Sequence, residues 1–208
     1  MTILLGVSSS LQHSTPQEWA AKHVELGLKC VNFPVDYLAG EDVYMVYKKA
    51  ADDAGLVIAE VGVWRNTLAA DPAEREKWIE YAIGQLKMAE KIGAICCVNV
   101  DRSAFGVHLD AINMITSPQR YFFNDDFLRE CFDKLGPWIV SCHLKDILLK
   151  QEYTFQLQEC APGAGTLDIP LYLRLAQEYN PEMPFIIEHL VTDEEYIQSI
   201  NYVQNLIK

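Results

Sequence analysis

Three short motifs in the sequence place ionisable side chains at the ends of apolar segments, where they could bind a metal ion or transfer protons. The first, SCHLKD at residues 141–146, alternates the apolar Cys142 and Leu144 with His143 and Lys145. In a β-strand this alternation directs His143 to the face opposite Cys142 and Leu144. An imidazole at the mouth of a strand is a natural metal ligand or acid–base group, but a core histidine hydrogen-bonded to Asp146 would show the same pattern. The motif alone leaves both interpretations open.

The other two motifs each end an apolar segment with a carboxylate. Asp110 follows VHL at 107–109, and Glu188 follows FII at 185–187. A carboxylate in such a position needs a cation or hydrogen-bond donors because burying an unpaired charge is costly. For Asp110, the N-cap of a following turn is an alternative. Two carboxylates and His143, with no thiolate, suit Mn²⁺, Mg²⁺ or Co²⁺ and also allow Zn²⁺. We therefore predict that Asp110, His143 and Glu188 bind one divalent metal ion.

Residues close to these motifs are candidates for supporting roles. His108 has the strand parity of Asp110 but lies deeper, so we expect a hydrogen-bond donor to the ligands or a structural core histidine. Asp146 is predicted to support the same site from outside the ligand set. His189 should point away from the site because adjacent strand residues face opposite sides. The segment PGAG at 162–165 is expected to form a rim over the mouth, or a plain turn before a helix capped by Asp168.

The elements that must position these residues alternate between short apolar runs and longer amphipathic segments. The predicted strands are Ile3–Ser8, Cys30–Val35, Leu56–Val63, Ala94–Val100, Phe105–Ile112, Ile139–Leu148 and Phe185–Leu190. The predicted helices are a first one from Ser14–Pro16 to Gly27, then Asp42–Ala54, Pro72–Ile92, Asp125–Leu135 and Asp193–Ile207. Such alternation is typical of an α/β protein with a parallel sheet. No G-x-G-x-x-G follows the first strand, which weighs against an open dinucleotide-binding sheet. Because polar residues cluster after the strands, we predict a (β/α)8 TIM barrel forming a single domain over residues 1–208.

The connection between the fourth and fifth apolar runs is too short for this architecture. Only residues 101–104 separate Val100 from Phe105, whereas two parallel strands need a crossover of roughly a dozen residues. The chain also offers seven strands for a fold that has eight, and it is shorter than the roughly 250 residues typical of that fold. We predict that one helix–strand–helix unit is absent between Val100 and Asp101. A naturally open barrel with a local rearrangement is the alternative.

The composition argues against several classes of protein. The 208 residues are half hydrophobic, and the net charge of −12 repels phosphate backbones, so nucleic acid is not an expected partner. No apolar run approaches the roughly 18 residues of a membrane span, and the N-terminus lacks the pattern of a signal peptide. The six cysteines form no C-x-x-C pair, which indicates free thiols in a reducing cytoplasm. We expect a cytoplasmic protein without a membrane partner, and the sequence is compatible with a homo-oligomer.

Taken together, the motifs resemble the sugar phosphate isomerase/epimerase superfamily with a xylose isomerase-like barrel. The resemblance covers nearly the whole chain in the order of the family, through Gly27–Asn32, Glu60–Asn66, His108–Asp110 followed by Asn113, His143–Asp146, Pro162–Gly165 and Ile187–His189. It implies a divalent metal held by two glutamates, one aspartate and one histidine. Asp110, His143 and Glu188 fall on three of these positions. The fourth ligand, a glutamate at the end of the fifth barrel strand, has no counterpart and belongs at the junction of Val100 and Asp101.

The resemblance also implies an activity on a keto sugar or sugar derivative, through proton abstraction and a metal-stabilised enediolate. Glu188 and Lys145 are the expected catalytic residues, although Lys145 could equally form an ion pair with Asp146. The expected substrate-binding residues are Glu60, Trp64, Asn66 and Asn113. Asn113 and Leu149 stand where ketose 3-epimerases carry histidine and arginine, which argues against that specificity. The alternatives are an inactive barrel remnant with a binding role and an endonuclease-type metal phosphodiesterase, disfavoured by five histidines and the charge.

Overall fold

A computed structural model of the protein describes residues 3–8, 11–99 and 106–208. In these ranges the strands are β1 (Leu4–Val7), β2 (Cys30–Asn32), β3 (Val57–Gly62), β4 (Cys96–Val98), β5 (Val107–Leu109), β6 (Ile139–Leu144), β7 (Asp146–Leu149), β8 (Leu157–Cys160) and β9 (Pro184–Ile187). The α-helices are α1 (Pro16–Glu25), α2 (Glu41–Asp53), α3 (Pro72–Ile92), α4 (Ala111–Met114), α5 (Pro118–Phe122), α6 (Asn124–Leu135), α7 (Ile169–Tyr179) and α8 (Asp193–Leu206). Short 3-10 helices span Tyr37–Ala39 and Gly136–Trp138. None of these helices is long and apolar enough to cross a bilayer.

The chain divides into two compact units, each with its own parallel sheet. The terminal unit comprises Met1–Ser10 and Val107–Lys208, and the central unit comprises Leu11–Gly106. The sheet of the terminal unit has the order β1-β9-β6-β5, and that of the central unit has the order β2-β3-β4. The described residues thus contain seven parallel strands, as the sequence predicts. The expectation of one domain over residues 1–208 stays a prediction.

The sheet of the terminal unit brings together the strands that precede the three motifs. Leu109 of β5 pairs with Cys142 of β6, and Leu144 of β6 pairs with Ile187 of β9. Parallel strands end at the same edge of a sheet, so the residues after them meet there. Behind the sheet, the Tyr172 ring of α7 packs edge-on against Phe185 at 5.2 Å between ring centroids. This packing anchors α7 under the strands that carry the site.

The sheet of the central unit is covered by α1, α2 and α3. Its core contains the fully buried Trp19 and Val31 together with Ile58 and Met88. The longest helix, α3, begins after Asp71, whose carboxylate accepts a hydrogen bond from the Glu74 amide at 2.8 Å. It ends at Gly93, which takes the left-handed conformation with φ of 73°. Both boundaries confirm the prediction from the sequence.

Two strand predictions are wrong in detail. The predicted strand Ile139–Leu148 is two strands, β6 and β7, and β7 forms an antiparallel hairpin with β8, which has no apolar run to announce it. The predicted strand Phe105–Ile112 is a strand over Val107–Leu109, and α4 follows at once because Asp110 caps it. The predicted interruption between Val100 and Asp101 lies outside the described residues.

Candidate metal centre

The structure brings the three predicted metal ligands together in the terminal unit. Nδ1 of His143 lies 2.8 Å from Oε1 of Glu188 and 3.6 Å from Oδ2 of Asp110. One ligand atom from each residue falls within 4.8 Å of the others. Ligand atoms roughly 2.1 Å from a six-coordinate ion lie about 3 Å apart, so this spacing and the mixed oxygen and nitrogen donors fit a divalent metal. Their role as ligands stays a prediction.

Asp110 caps a helix, the alternative role that its motif left open, and it also faces the other predicted ligands. It lies at the N-terminus of α4, where Oδ1 accepts a hydrogen bond from the Asn113 amide at 3.3 Å. Its Oδ2 accepts a hydrogen bond from Nδ2 of Asn113 at 2.6 Å and faces His143. The cap therefore holds the carboxylate in place, and Asn113, a predicted substrate-binding residue, contacts a predicted ligand instead of standing apart from it.

The position of His143 depends on neighbouring aromatic and polar groups. Its ring contacts that of His108 edge-on, with 4.0 Å between centroids, and Nδ1 of His108 lies 2.6 Å from Oγ of Ser141. The hydroxyl of Tyr172 lies 2.9 Å from the carbonyl oxygen of Leu109 and 3.3 Å from that of His143. Tyr172 thus joins β5 and β6 at the point where both lead into the site.

Lys145 lies among the ligands, and its side chain is only 1% exposed. Its Nζ is 2.9 Å from Oδ2 of Asp110 and 3.0 Å from Oε1 of Glu188. Burial alone would lower the pKa of Lys145, but the two carboxylates outweigh it and raise the pKa above the ordinary value. The expected alternative, an ion pair between Lys145 and Asp146, is wrong because the ammonium contacts Asp110 and Glu188 instead.

The two carboxylates stay ionised for the same reason. Burial would raise the pKa of Asp110, but hydrogen bonding to His143 and the charge of Lys145 hold that pKa well below its usual range. Glu188 shows the same balance, and its pKa is also lowered. The site therefore presents two anionic oxygens at neutral pH, as a metal ligand set requires.

Asp146 was expected to support the predicted ligands, but its carboxylate binds backbone amides of a loop instead. It is 1% exposed, and its carboxylate accepts hydrogen bonds from four backbone amides at 2.8–3.0 Å, those of Ile147, Gly163, Gly165 and Leu167. The alternative that His143 bonds to Asp146 is wrong for this reason. Asp146 instead fastens the PGAG loop to β7. A Cβ at Gly165 would lie 2.3 Å from Oδ1 of Asp146, so the loop needs glycine there.

Two residues that the sequence did not assign to the site lie beside Lys145. Oε1 of Glu159, on β8, is 3.3 Å from Nζ of Lys145, and its Oε2 is 2.9 Å from Nδ1 of His189. Nδ1 of His189 is also 3.5 Å from Nζ of Lys145. The expectation that His189 points away is wrong because its φ of 61° breaks the strand alternation. Glu159 had no signal beyond being a polar residue before the PGAG loop.

The remaining predicted substrate-binding residues belong to the central unit. Glu60 is fully buried on β3, and its Oε1 accepts a hydrogen bond from Nδ2 of Asn32 at 2.7 Å. The indole of Trp64, with φ of 42°, packs on Gly62 and is 44% exposed. Oδ1 of Asn66 accepts a hydrogen bond from the amide of Leu68 at 3.0 Å in a local turn. Their contact with a sugar stays a prediction.

Comparisons with known proteins identify the fold. No model of a protein family matches the sequence, and no curated protein matches it. Among solved structures, a xylose isomerase domain protein from Planctomyces limnophilus is similar at 14% identity, with a TM-score of 0.63 over 99% of this chain and 96% of that one. A xylose isomerase-like TIM barrel protein from Mycobacterium smegmatis in complex with magnesium is similar at 15% identity, with a TM-score of 0.59 over 99% and 96%. The 3-keto-D-glucoside 4-epimerase of E. coli, in its apo form, is similar at 13% identity, with a TM-score of 0.58 over 99% of both chains. The chain therefore has the xylose isomerase-like TIM-barrel fold, truncated to seven parallel strands in the described residues where a complete barrel has eight.

Proposed function

We propose that this protein is a divalent-metal-dependent isomerase or epimerase of a keto sugar or sugar derivative. The observation that carries the proposal is the convergence of Asp110, His143 and Glu188 at ligand spacing, at the carboxyl ends of three neighbouring strands. Support comes from similar structures, one in complex with magnesium and one a 3-keto-D-glucoside 4-epimerase. The likeness of fold alone does not carry an activity, so the argument depends on the residues of the site.

Asp110, His143 and Glu188 would hold the metal, and Mn²⁺, Mg²⁺, Co²⁺ or Zn²⁺ suits their donor atoms. The metal would supply Lewis-acid stabilisation of the negative charge that develops on a carbonyl compound losing an α-proton. All three residues end or follow strands that are hydrogen-bonded to one another, so their positions do not depend on a flexible loop. Rigid placement of this kind is what stabilisation of a transition state requires.

Glu188 is the base in this proposal. Its Oε1 contacts His143 and Lys145, which leaves Oε2 as the oxygen that takes the α-proton of the sugar. The lowered pKa of Glu188 keeps the carboxylate ionised at neutral pH, which is the form that a base requires. Lys145, a buried ammonium beside it, can stabilise negative charge on the substrate oxygen as the proton leaves.

The proposal is tested by solvent exchange. The protein is stripped with EDTA, reloaded with Mn²⁺, Mg²⁺, Co²⁺ or Zn²⁺ and incubated in D₂O with 3-keto-D-glucosides and ketohexoses. Deuterium at the α-carbon, followed by NMR, is expected with at least one metal, and Glu188→Gln should reduce the exchange rate at least about 10³-fold because the base is lost. Glu182→Gln, an exposed site of the same unit, is the matched control. No exchange with any metal, or equal rates for Glu188→Gln and the control, would contradict the proposal.

A further inference from the structure

The ammonium of Lys145 occupies the oxygens that a metal would use. Oδ2 of Asp110 already receives hydrogen bonds from Nζ of Lys145 and Nδ2 of Asn113, at 2.9 and 2.6 Å. Oε1 of Glu188 is within 3.0 Å of Nζ of Lys145 and 2.8 Å of Nδ1 of His143. A carboxylate oxygen has two lone-pair positions, so both oxygens are saturated. A metal can bind these two oxygens only if a donor leaves, and Lys145 is the cation that lies within 3.0 Å of both.

Electrostatic repulsion leads to the same conclusion. An ion roughly 2.1 Å from either oxygen would lie no more than about 5 Å from Nζ of Lys145, since Nζ is 2.9–3.0 Å from both. A divalent ion and an ammonium at that distance repel each other strongly in a buried site. Unmoved, Lys145 would therefore oppose metal binding.

The structure offers Lys145 a second place in the same site. Two further acceptors lie near Nζ at longer distances, namely Oδ1 of Asn113 at 3.1 Å and Oε1 of Glu159 at 3.3 Å. An ammonium donates only three hydrogen bonds, so these two acceptors and the oxygens of Asp110 and Glu188 cannot all be satisfied at once. A small shift towards Glu159 would exchange two anionic partners for one anionic and one neutral partner, and the lysine stem has the rotatable bonds for it.

We propose that Lys145 is an internal cation that competes with the metal for Asp110 and Glu188, and that Glu159 and Asn113 hold its ammonium once the metal is bound. Without metal, Lys145 neutralises the two carboxylates and keeps them at ligand spacing. With metal, it remains beside the substrate position, where the proposed function uses its charge. The inference rests on the metal dependence proposed above and adds a cost to metal binding that the ligand set alone does not show.

The test measures Mn²⁺ affinity by isothermal titration calorimetry on EDTA-treated protein. Lys145→Met should bind Mn²⁺ at least about tenfold more tightly than the wild type because no ammonium must be displaced. Glu159→Gln should bind it at least about threefold more weakly because the displaced ammonium loses its anionic partner. Lys150→Met, an exposed position after β7, changes the net charge equally and should stay within about twofold of the wild type. Lys145→Gln carries the same test if Lys145→Met does not fold.

The possible outcomes separate this inference from the proposed function. Mn²⁺ binding to Lys145 variants alone, with none to the wild type, would support the competition in its strongest form. Equal or weaker binding by both Lys145 variants, with the wild type binding Mn²⁺, overturns the competition and leaves the metal-dependent function standing. Absence of binding in every variant overturns both. Thermal unfolding adds a second readout: Lys145→Met should lose stability in EDTA and recover it with Mn²⁺, whereas a merely structural lysine would lower both values equally.

Discussion

Replacing Asp146 by alanine should destabilise the terminal unit more than the loss of the Asp168 carboxylate, which caps a helix. The carboxylate is buried and accepts four backbone hydrogen bonds, two of them from Ile147 and Leu167. Hydrogen bonds to a charged group contribute about 1.5–3 kcal/mol each, and a buried donor left unpaired costs about 1–3 kcal/mol. Water can reach the amides of Gly163 and Gly165 once the side chain is gone, so only the two buried amides bear the full cost. We expect a loss of about 3–5 kcal/mol.

The assay combines urea unfolding, followed by circular dichroism, with hydrogen exchange at the amides of Gly165 and Leu167. A loss of at least about 3 kcal/mol corresponds to exchange faster by about 100-fold or more at these amides. Asp168→Ala is the matched control, because that exposed carboxylate caps α7 through one amide, that of Leu171, and should cost about 1 kcal/mol. Gly165→Ala should reproduce much of the effect, since its Cβ would lie 2.3 Å from Asp146. A loss below about 1 kcal/mol in Asp146→Ala, or equality with Asp168→Ala, would refute the reasoning.

Two further outcomes follow from the site. Tyr172→Phe removes the hydroxyl that bridges the carbonyl oxygens of Leu109 and His143, so it should cost about 1–2 kcal/mol in urea unfolding and weaken Mn²⁺ binding; no change in either measurement contradicts the bridging role. In EDTA, the lowered pKa values of Asp110 and Glu188 mean that the unfolded chain binds more protons, so stability is complete above the ordinary values of 3.8 and 4.5 and is lost as pH falls below them. The stability difference between the wild type and Glu188→Gln should therefore shrink as the pH falls from about 5 to about 3, a range that includes the ordinary pKa values of both carboxyl groups. A stability difference that stays constant over this range would argue against the ion pairs.

The elements of the fold could be predicted wherever local signals agree. α3 has an N-cap, a proline in its first turn and a left-handed glycine at its end, so the sequence defines both boundaries. The hairpin of β7 and β8 could not be predicted because β8 alternates weakly and has exposed residues in its middle. The run Ile139–Leu148 looked continuous because Lys145, which separates β6 from β7, is neither glycine nor proline. Its side chain contacts Asp110 and Glu188, which are distant in sequence, and such contacts leave no local pattern.

The sequence could predict which residues lie at the site but not which of their side chains contact one another. Asp110, His143 and Glu188 were identifiable because each is an ionisable residue at the end of an apolar strand, and parallel strands end at one edge. For Lys145 the sequence left two roles open, and it could not exclude the ion pair with Asp146 because adjacency in sequence does not show which carboxylates surround the ammonium. His189 was assigned wrongly because a positive φ in a non-glycine residue arises from its surroundings.

The geometry of the ligand set is determined inside the terminal unit, and this bears on what the missing fourth ligand would change. Leu109, Cys142 and Phe185 are level with one another across β5, β6 and β9. His143 is the next residue of β6, Asp110 directly follows β5, and Glu188 directly follows β9. These hydrogen bonds place the three ligands without any contribution from a fourth glutamate, for which the sequence has no counterpart. A site without the glutamate that the resemblance implies would have less negative charge and one donor atom fewer, with the spacing of the three predicted ligands intact. Under the proposed competition, Lys145 would then balance a larger share of the negative charge, and its displacement would decide whether a three-ligand site is occupied.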